Sequence, residues 1–244
     1  LGYFVVYHTT VGDNPQRMKD VLKTALSRAD LVITTGGLGP TQGDMTKIIG
    51  AELMNRPLIY DQAIADSVQA WVTAHHGTVT MTENQKRQAM IPEGAAIFDN
   101  EAGTAPGVAM QGGGKNLVHL PGPPSEMRWM YENRLKPWLL KTFGSQGSIR
   151  SLYIKIYDMG EAFIEERLMD LVKDQSNPTL AMYARPGFVE VRLTARADSE
   201  EQAEALLEPL EEEVRSRLND QIVSFNDETM ADVLGREVRQ AGYI

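Results

Sequence analysis

In the first half of the chain, short runs of consecutive apolar residues alternate with stretches whose apolar positions recur every third or fourth residue. The first pattern predicts strands buried on both faces, the second amphipathic helices. Tyr3 to Tyr7 reads as a strand. After it, Asn14 as cap and Pro15 at the first helical position open a helix with a stripe of Met18, Val21, Leu22, Ala25 and Leu26. Leu31 to Thr35 is the next strand, followed by a glycine turn and a helix whose stripe is Met45, Ile48, Ile49 and Leu53, with Asp44 at the expected cap. Arg56 to Gly77 holds a second long helix with Ile64, Val68, Trp71 and Val72 on one side; Thr82 caps a short helix to Gln88, and Pro92 closes the segment. Ala95 to Phe98, Val108 to Met110 and Leu117 to Leu120 read as strands, and a helix runs from the Pro121 to Pro124 corner towards Leu140. This order predicts an α/β domain: a mostly parallel sheet with helices on both faces and ligands at the carboxyl ends of its strands.

The pattern changes after the Gly- and Ser-containing segment Lys141 to Arg150. Ser151 to Tyr157 is a predicted strand and Gly160 to Lys173 a helix. Leu180 to Tyr183 and Phe188 to Ala195 are strands about a Pro186-Gly187 turn, Ser199 to Leu218 a helix with Ser199 and Gln202 as capping box, and Ile222 to Phe225 a strand. The order is βαββαβ, a small α+β domain. The expected division is 1–143, 150–226 and a helix in 227–244 that leads to a further domain. Leu1 and Gly2 resemble the end of a helix, so a preceding strand and helix are expected to be missing and the chain to be an excerpt.

Composition narrows the class. The chain has 244 residues, 42% of them hydrophobic, which permits two modest cores, and no cysteine, which rules out disulfides and thiolate chemistry. No apolar run reaches the roughly 18 residues of a membrane span, and no signal peptide is evident, so a soluble cytoplasmic chain without membrane contact is expected. A net charge of −9 makes nucleic acid a poor partner unless the cations gather on one face. Arg185, Arg192 and Arg196 form the basic cluster of the second half and read as a solvated face. His8, His75, His76 and His119 show no metal-ligand spacing, and His119 reads as packed or solvated.

The chemistry concentrates after Thr35. Gly36, Gly37 and Gly39 let the backbone turn with its N–H groups uncovered, and Pro40 fixes one φ before the helix. Amides and a helix N-terminus converging there suit a phosphate or carboxylate. Asp44 would repel a phosphate unless a divalent cation lay between them; equally, it serves as a helix cap and nothing more. The small-residue loop Asp99 to Gly107 brings backbone close to a partner. Glu126 sits in the first turn of the helix after Pro124, where the dipole alone accounts for an acid and ligand or metal contact is the alternative. Asn84 is either an exposed helix residue or a ligand contact.

Three stretches, GGLGPTQGDMTK (36–47), NEAGTAPG (100–107) and LPGPPSEM (120–127), supported by TTVGDN, NQKRQAMIPEG and YARPGFVEVRLTA, resemble the CinA competence/damage-inducible family over nearly the whole chain. The resemblance implies a first domain of the molybdopterin-binding MogA/MoeA type, a KH-like second domain without an evident GxxG loop, and a dimer. It implies hydrolysis of the diphosphate of ADP-ribose to AMP and ribose 5-phosphate in nicotinamide nucleotide recycling, with Mg²⁺, Mn²⁺ or Co²⁺ as cofactor and K⁺ as a further candidate. In that reading Asp44 holds the metal and Asp13 joins it as the second catalytic acid. Backbone from Gly36, Gly37, Gly39, Pro40 and Thr41, and from Gly122, Pro123 and Pro124, cradles the diphosphate. Asn84 and Thr104 orient the ligand, with Thr46, Lys47, Gly103 and Glu126 completing the site. Two departures from the family pattern stand out: Gly43 replaces the first of two adjacent acids, and the family's opening Gly-Asp/Thr-Glu strand is not in the sequence. The alternative is a module that binds molybdopterin or a related phosphorylated ligand without hydrolysis; RNA binding through the second domain is a third reading. Many family members carry a third domain that deamidates nicotinamide mononucleotide, which these residues do not include.

Overall fold

A computed structural model describes residues 1–77, 80–145, 147–173 and 175–243. It divides into two compact units, Val5–Thr142 and Leu1–Phe4 with Phe143–Ile244. Among the described residues no helix is long and apolar enough to cross a membrane.

In the unit Val5–Thr142, α1 (Pro15–Arg28) starts where the cap signals put it, with the Asn14 side chain accepting from the Arg17 amide at 3.0 Å. The sheet joins β1 (Leu31–Thr35), β6 (Lys115–Leu120), β5 (Gly107–Gly112) and β4 (Ala96–Phe98) in that order. It is mixed: β1 and β6 run parallel, while β5 pairs antiparallel with both β6 and β4. One face packs Met110 and Leu117 against Met18 and Leu22 of α1 and Ile49 and Ala51 of α2 (Thr46–Leu53). On the other face runs α5 (Pro124–Met130), continued through a π-helical turn into α6 (Lys136–Phe143). There Gly107 lies so close to Met130 that a Cβ would stand 2.5 Å from its Sδ. Layers on both faces are thus present, and the carboxyl ends of the parallel pair β1 and β6 open onto the two glycine turns.

A separate small core forms where α3 (Gln62–His76) buries Ala65, Val68 and Val72 against Met81 and Ala89. Beside it, β2 (Leu58–Tyr60) pairs antiparallel with β3 (Met90–Pro92). The short helix α4 (Glu83–Lys86) carries a full capping box between Thr82 and Gln85.

Tyr3 to Tyr7 does not form the expected strand. Phe4, Val5, Val6 and Tyr7 are exposed, Val5 to 87%. An apolar run becomes a strand only where a ladder partner takes up its N–H and C=O groups; β1 ends the sheet, and nothing among the described residues pairs with its outer edge.

The second unit holds β7 (Ser148–Ile156), α7 (Glu161–Lys173), β8 (Thr179–Arg185), β9 (Phe188–Ala197), α8 (Glu200–Leu218) and β10 (Ile222–Phe225). Its sheet order is β10-β7-β9-β8, antiparallel throughout, the split βαβ arrangement read from the sequence. Ile164 and Leu168 of α7 and Ala203, Leu207, Val214 and Leu218 of α8 close its core over one face. The helix α9 (Met230–Gln240) belongs to this unit, with Val233 buried.

Gly50 offers a test of the first core: a Cβ there would overlap the ring of His119, which is fully buried and has nowhere to move. Gly50→Ala should therefore lower stability by about 1–3 kcal/mol despite alanine's better helix propensity. All three tryptophans, Trp71, Trp129 and Trp138, lie in this unit, so urea unfolding followed by tryptophan fluorescence reads the change directly.

Candidate functional site

The carboxyl ends of β1 and β6 feed two turns that touch. The Gly36 amide donates to Leu120 O at 2.9 Å, and a Cβ on Gly122 would stand 3.2 Å from Gly36 Cα. Gly36 also has φ +94, a conformation that disfavours any side chain. These two glycines let two backbones meet; the Gly36 amide is consumed and cannot reach a ligand.

Beyond this contact the first turn is shaped from within. Gly37 O accepts from the Thr46 amide at 3.1 Å, and the Gly37 β position is filled by the Thr46 hydroxyl. Leu38 is buried and pins the loop. Asp44 does not cap α2: the helix begins at Thr46 after Met45, with no side-chain cap bond. Instead Asp44 Oδ2 accepts from the Thr41 amide at 2.8 Å and the Thr41 hydroxyl at 2.6 Å, closing the loop upon itself. Thr41's amide is therefore spoken for as well. Among the described residues no hydrogen bond engages the amides of Gly37, Leu38 and Gly39. Asp13 comes to the same loop, its Oδ2 3.6 Å from where a Gly43 Cβ would be.

Behind the turn lies a buried polar chain that periodicity did not announce. Lys47, 5% exposed, donates through Nζ to Gln88 O at 2.8 Å. Gln88 Nε2 in turn donates to Thr104 Oγ1 at 3.1 Å. Burial pushes the Lys47 ammonium down to about 8, because the charged form loses water without gaining an anion. His119 is also fully buried, with Nδ1 2.7 Å from Thr34 Oγ1. Burial, and secondarily the nearby Lys47 charge, lowers it to about 3, so the ring is neutral at pH 7. Gln88 Oε1 and His119 Nε2 have no hydrogen-bond partner among the described residues.

The loop after β4 is latched to α5. Asn100 Nδ2 donates to Glu126 Oε2 at 2.6 Å and to Ala105 O at 3.0 Å. Gly103 is bare because the Glu126 carboxylate occupies its β position. Glu126 therefore holds this loop in place, and the small residues admit a side chain of the protein itself. Pro123 and Pro124 set the start of α5, where they have no amide to offer. Asn84 is exposed on α4, and no hydrogen bond joins it to these groups. Sequence reasoning missed Gln88 and Asn100; the signal for Gln88 was a polar residue beside the apolar run Ala89 to Ile91.

Residues 1–141 match the family described as probable molybdopterin binding domain, and residues 151–224 that described as damage-inducible protein CinA KH domain. The chain belongs to the CinA family. This CinA-family chain is 43% identical over 234 residues to a CinA-like protein of Dictyoglomus thermophilum, covering 96% of itself and 56% of that protein. It is 42% identical over 243 residues to a putative competence-damage inducible protein of Clostridium kluyveri, covering 100% and 58%. It thus spans little more than half the length of these relatives. Among solved structures, the CinA of unknown function from Thermoplasma acidophilum shares 32% identity over 51% of this chain and 72% of that one, with a TM-score of 0.44. MoaB of Thermus, a molybdopterin biosynthesis enzyme, shares 23% identity over 55% and 70%, with a TM-score of 0.31.

The Lys47 environment has a measurable sign. Its pKa is about 8 in the folded chain against 10.5 for the exposed group. Between those values the unfolded chain holds more protons, so stability rises with pH across the window, while below pH 8 the whole cost of burying the charge remains. Relative to Lys47→Met, the native chain should gain up to about 3 kcal/mol between pH 8 and 10.5, read from urea midpoints.

Proposed function

We propose that the unit Val5–Thr142 binds a small phosphorylated ligand of the molybdopterin type at the first glycine turn, without itself being a hydrolase. The observation that carries the reading is the row of unengaged amides at Gly37, Leu38 and Gly39, held rigid by the Thr46, Asp44 and Leu120 contacts. Amides fixed before the ligand arrives cost no ordering on binding, and their partial positive charge favours a phosphate oxygen. Lys47 adds a cation at the start of α2 whose full charge an arriving anion would stabilise. The match of residues 1–141 to a probable molybdopterin binding domain supports the same ligand class.

One observation favours a second reading, hydrolysis of the ADP-ribose diphosphate: Asp13 reaches the loop that Asp44 closes. Among the described residues no group of three or more histidines and acids is placed to hold an ion. Two carboxylates with ligand phosphates are nevertheless a donor set that suits Mg²⁺, which keeps several waters. Asp44 and Asp13 would hold such an ion, which would offset charge on the phosphates while the turn amides orient them.

Calorimetry with molybdopterin and with ADP-ribose, each with and without Mg²⁺ or Mn²⁺, separates the readings. The binding module predicts metal-independent molybdopterin affinity that weakens about ten-fold in Lys47→Met, with no AMP released from ADP-ribose. AMP release that requires metal and disappears in Asp44→Asn would establish the hydrolase instead. Binding of neither ligand under any condition would overturn both.

A further inference from the structure

Between β7 and α8 the second unit holds a trough that its own strands leave uncovered. β10 pairs with β7 only at Ile154, Lys155 and Ile156. Just past Phe225 the chain turns at Asn226, with φ +50, and this residue stands in for one further ladder position. Its amide donates to Tyr153 O at 2.8 Å, and its Oδ1 accepts from the Tyr153 amide at 3.2 Å. Both polar backbone groups of Tyr153 therefore face away from β9. Along a strand such groups alternate in direction, so those of Ser151 and Ile149 face the same outer side. Among the described residues no hydrogen bond engages them there.

This open stretch of edge lines a trough of about 820 Å³. Its strand wall is the uninterrupted run Arg150 to Tyr153, and since neighbouring side chains stand on opposite faces, such a run marks the edge itself as the exposed part. The other wall is α8, which runs alongside β7. Arg150 is ion-paired with Glu200 near the start of the helix, and Arg215, near its end, lies over the Phe225 ring at 4.1 Å, where Phe225 pairs with Ile154. The stripe that α8 turns to the trough is acidic, with Glu201, Glu204, Glu208 and Glu211, and Asp227 joins them from the turn after β10. The cation of the lining, Arg150, is held by Glu200 and Glu204, and Glu211 by Arg215. Among the described residues no ion pair engages Glu201, Glu208 or Asp227.

We propose that this trough takes an extended peptide with lysine or arginine at alternate positions, added to the sheet as a strand beside Ile149 and Ser151. Open ladder groups need a partner that itself alternates N–H and C=O, which a peptide has and a metal ion or a polyamine lacks. The acids from Glu201 to Glu211 span about 15 Å at about 1.5 Å per residue, whereas side chains on one face of a strand recur about every 7 Å, so about two or three cations fit along the helix. A nucleic acid would bring its phosphates against this stripe, and an acidic peptide would find the backbone but be repelled by the wall.

Fluorescence anisotropy of a labelled octapeptide that alternates lysine and threonine, titrated with the whole chain at low salt, tests this. Glu208→Gln with Asp227→Asn should weaken binding about five-fold, whereas Glu165→Gln with Glu166→Gln on α7 removes as much charge and changes nothing. Backbone N-methylation separates strand addition from attraction of charge alone. A ladder uses every second amide of the added strand, so methylating one alternate set should abolish binding and methylating the other should leave it within about two-fold. Circular dichroism checks the fold, and if Glu208→Gln with Asp227→Asn unfolds the unit the methylated peptides decide. No binding at low salt, unchanged affinity in that folded variant, an equal loss in the α7 variant, or methylation of both sets or of neither abolishing binding would each overturn the proposal. Displacement by spermine as effective as by the unlabelled peptide would overturn it as well.

Discussion

The first unit depends on one close approach, backbone to backbone, between the turn after β1 and the turn after β6. A parallel pair of strands delivers both turns to the same edge, and only glycine at 36 and 122 allows them to meet with the Gly36 amide bonded to Leu120 O. From that contact follow the direction of the loop to Thr41, the entry of Thr46 against Gly37 and the start of α2. The same contact withdraws one amide from any ligand and leaves its neighbours available. A held base to the loop and amides left without a partner above it are therefore two results of a single packing constraint.

Around this contact the protein satisfies its own polar groups first. Asp44 is held by Thr41, Glu126 by Asn100, and Lys47 by the Gln88 carbonyl, so these three charged groups are oriented by a neighbour before any guest arrives. Groups fixed in this way lose little freedom on binding, and the geometry they present is decided by the fold. The second unit shows a different arrangement: α7 and α8 cover one side of the sheet, and Tyr153, Tyr183 and Arg192 stand on the other.

What was legible in the sequence was what local chemistry decides. Asn14 with Pro15, Thr82 as the cap of a short helix and the βαββαβ order each rest on residues within a turn or a strand of one another, and each appears where it was read. Of the two readings of Asp44, the cap failed because Asp before a helical stripe is an ordinary cap signal, whereas its pairing with Thr41 arises from the curl of a loop that glycine leaves undetermined. The small-residue loop Asp99 to Gly107 was read as bringing backbone close to a partner, and at Gly103 that partner is the Glu126 side chain, 23 positions along the chain. The Lys47, Gln88 and Thr104 chain joins three segments distant in sequence, and no periodicity encodes such a meeting. The Tyr3 to Tyr7 run has the apolar pattern of a strand, but no strand among the described residues pairs with it.

That outer edge of β1 has a practical side. A strand with unpaired N–H and C=O groups is a template for any extended chain it encounters, and native proteins blunt such edges with lysine, proline or an inward charge. Leu31 to Thr35 has none of these; its Ile33 is 43% exposed, and Val5 and Val6 in the same unit are exposed apolar surface. Among the described residues this rim therefore keeps ladder groups open to any extended segment that comes alongside.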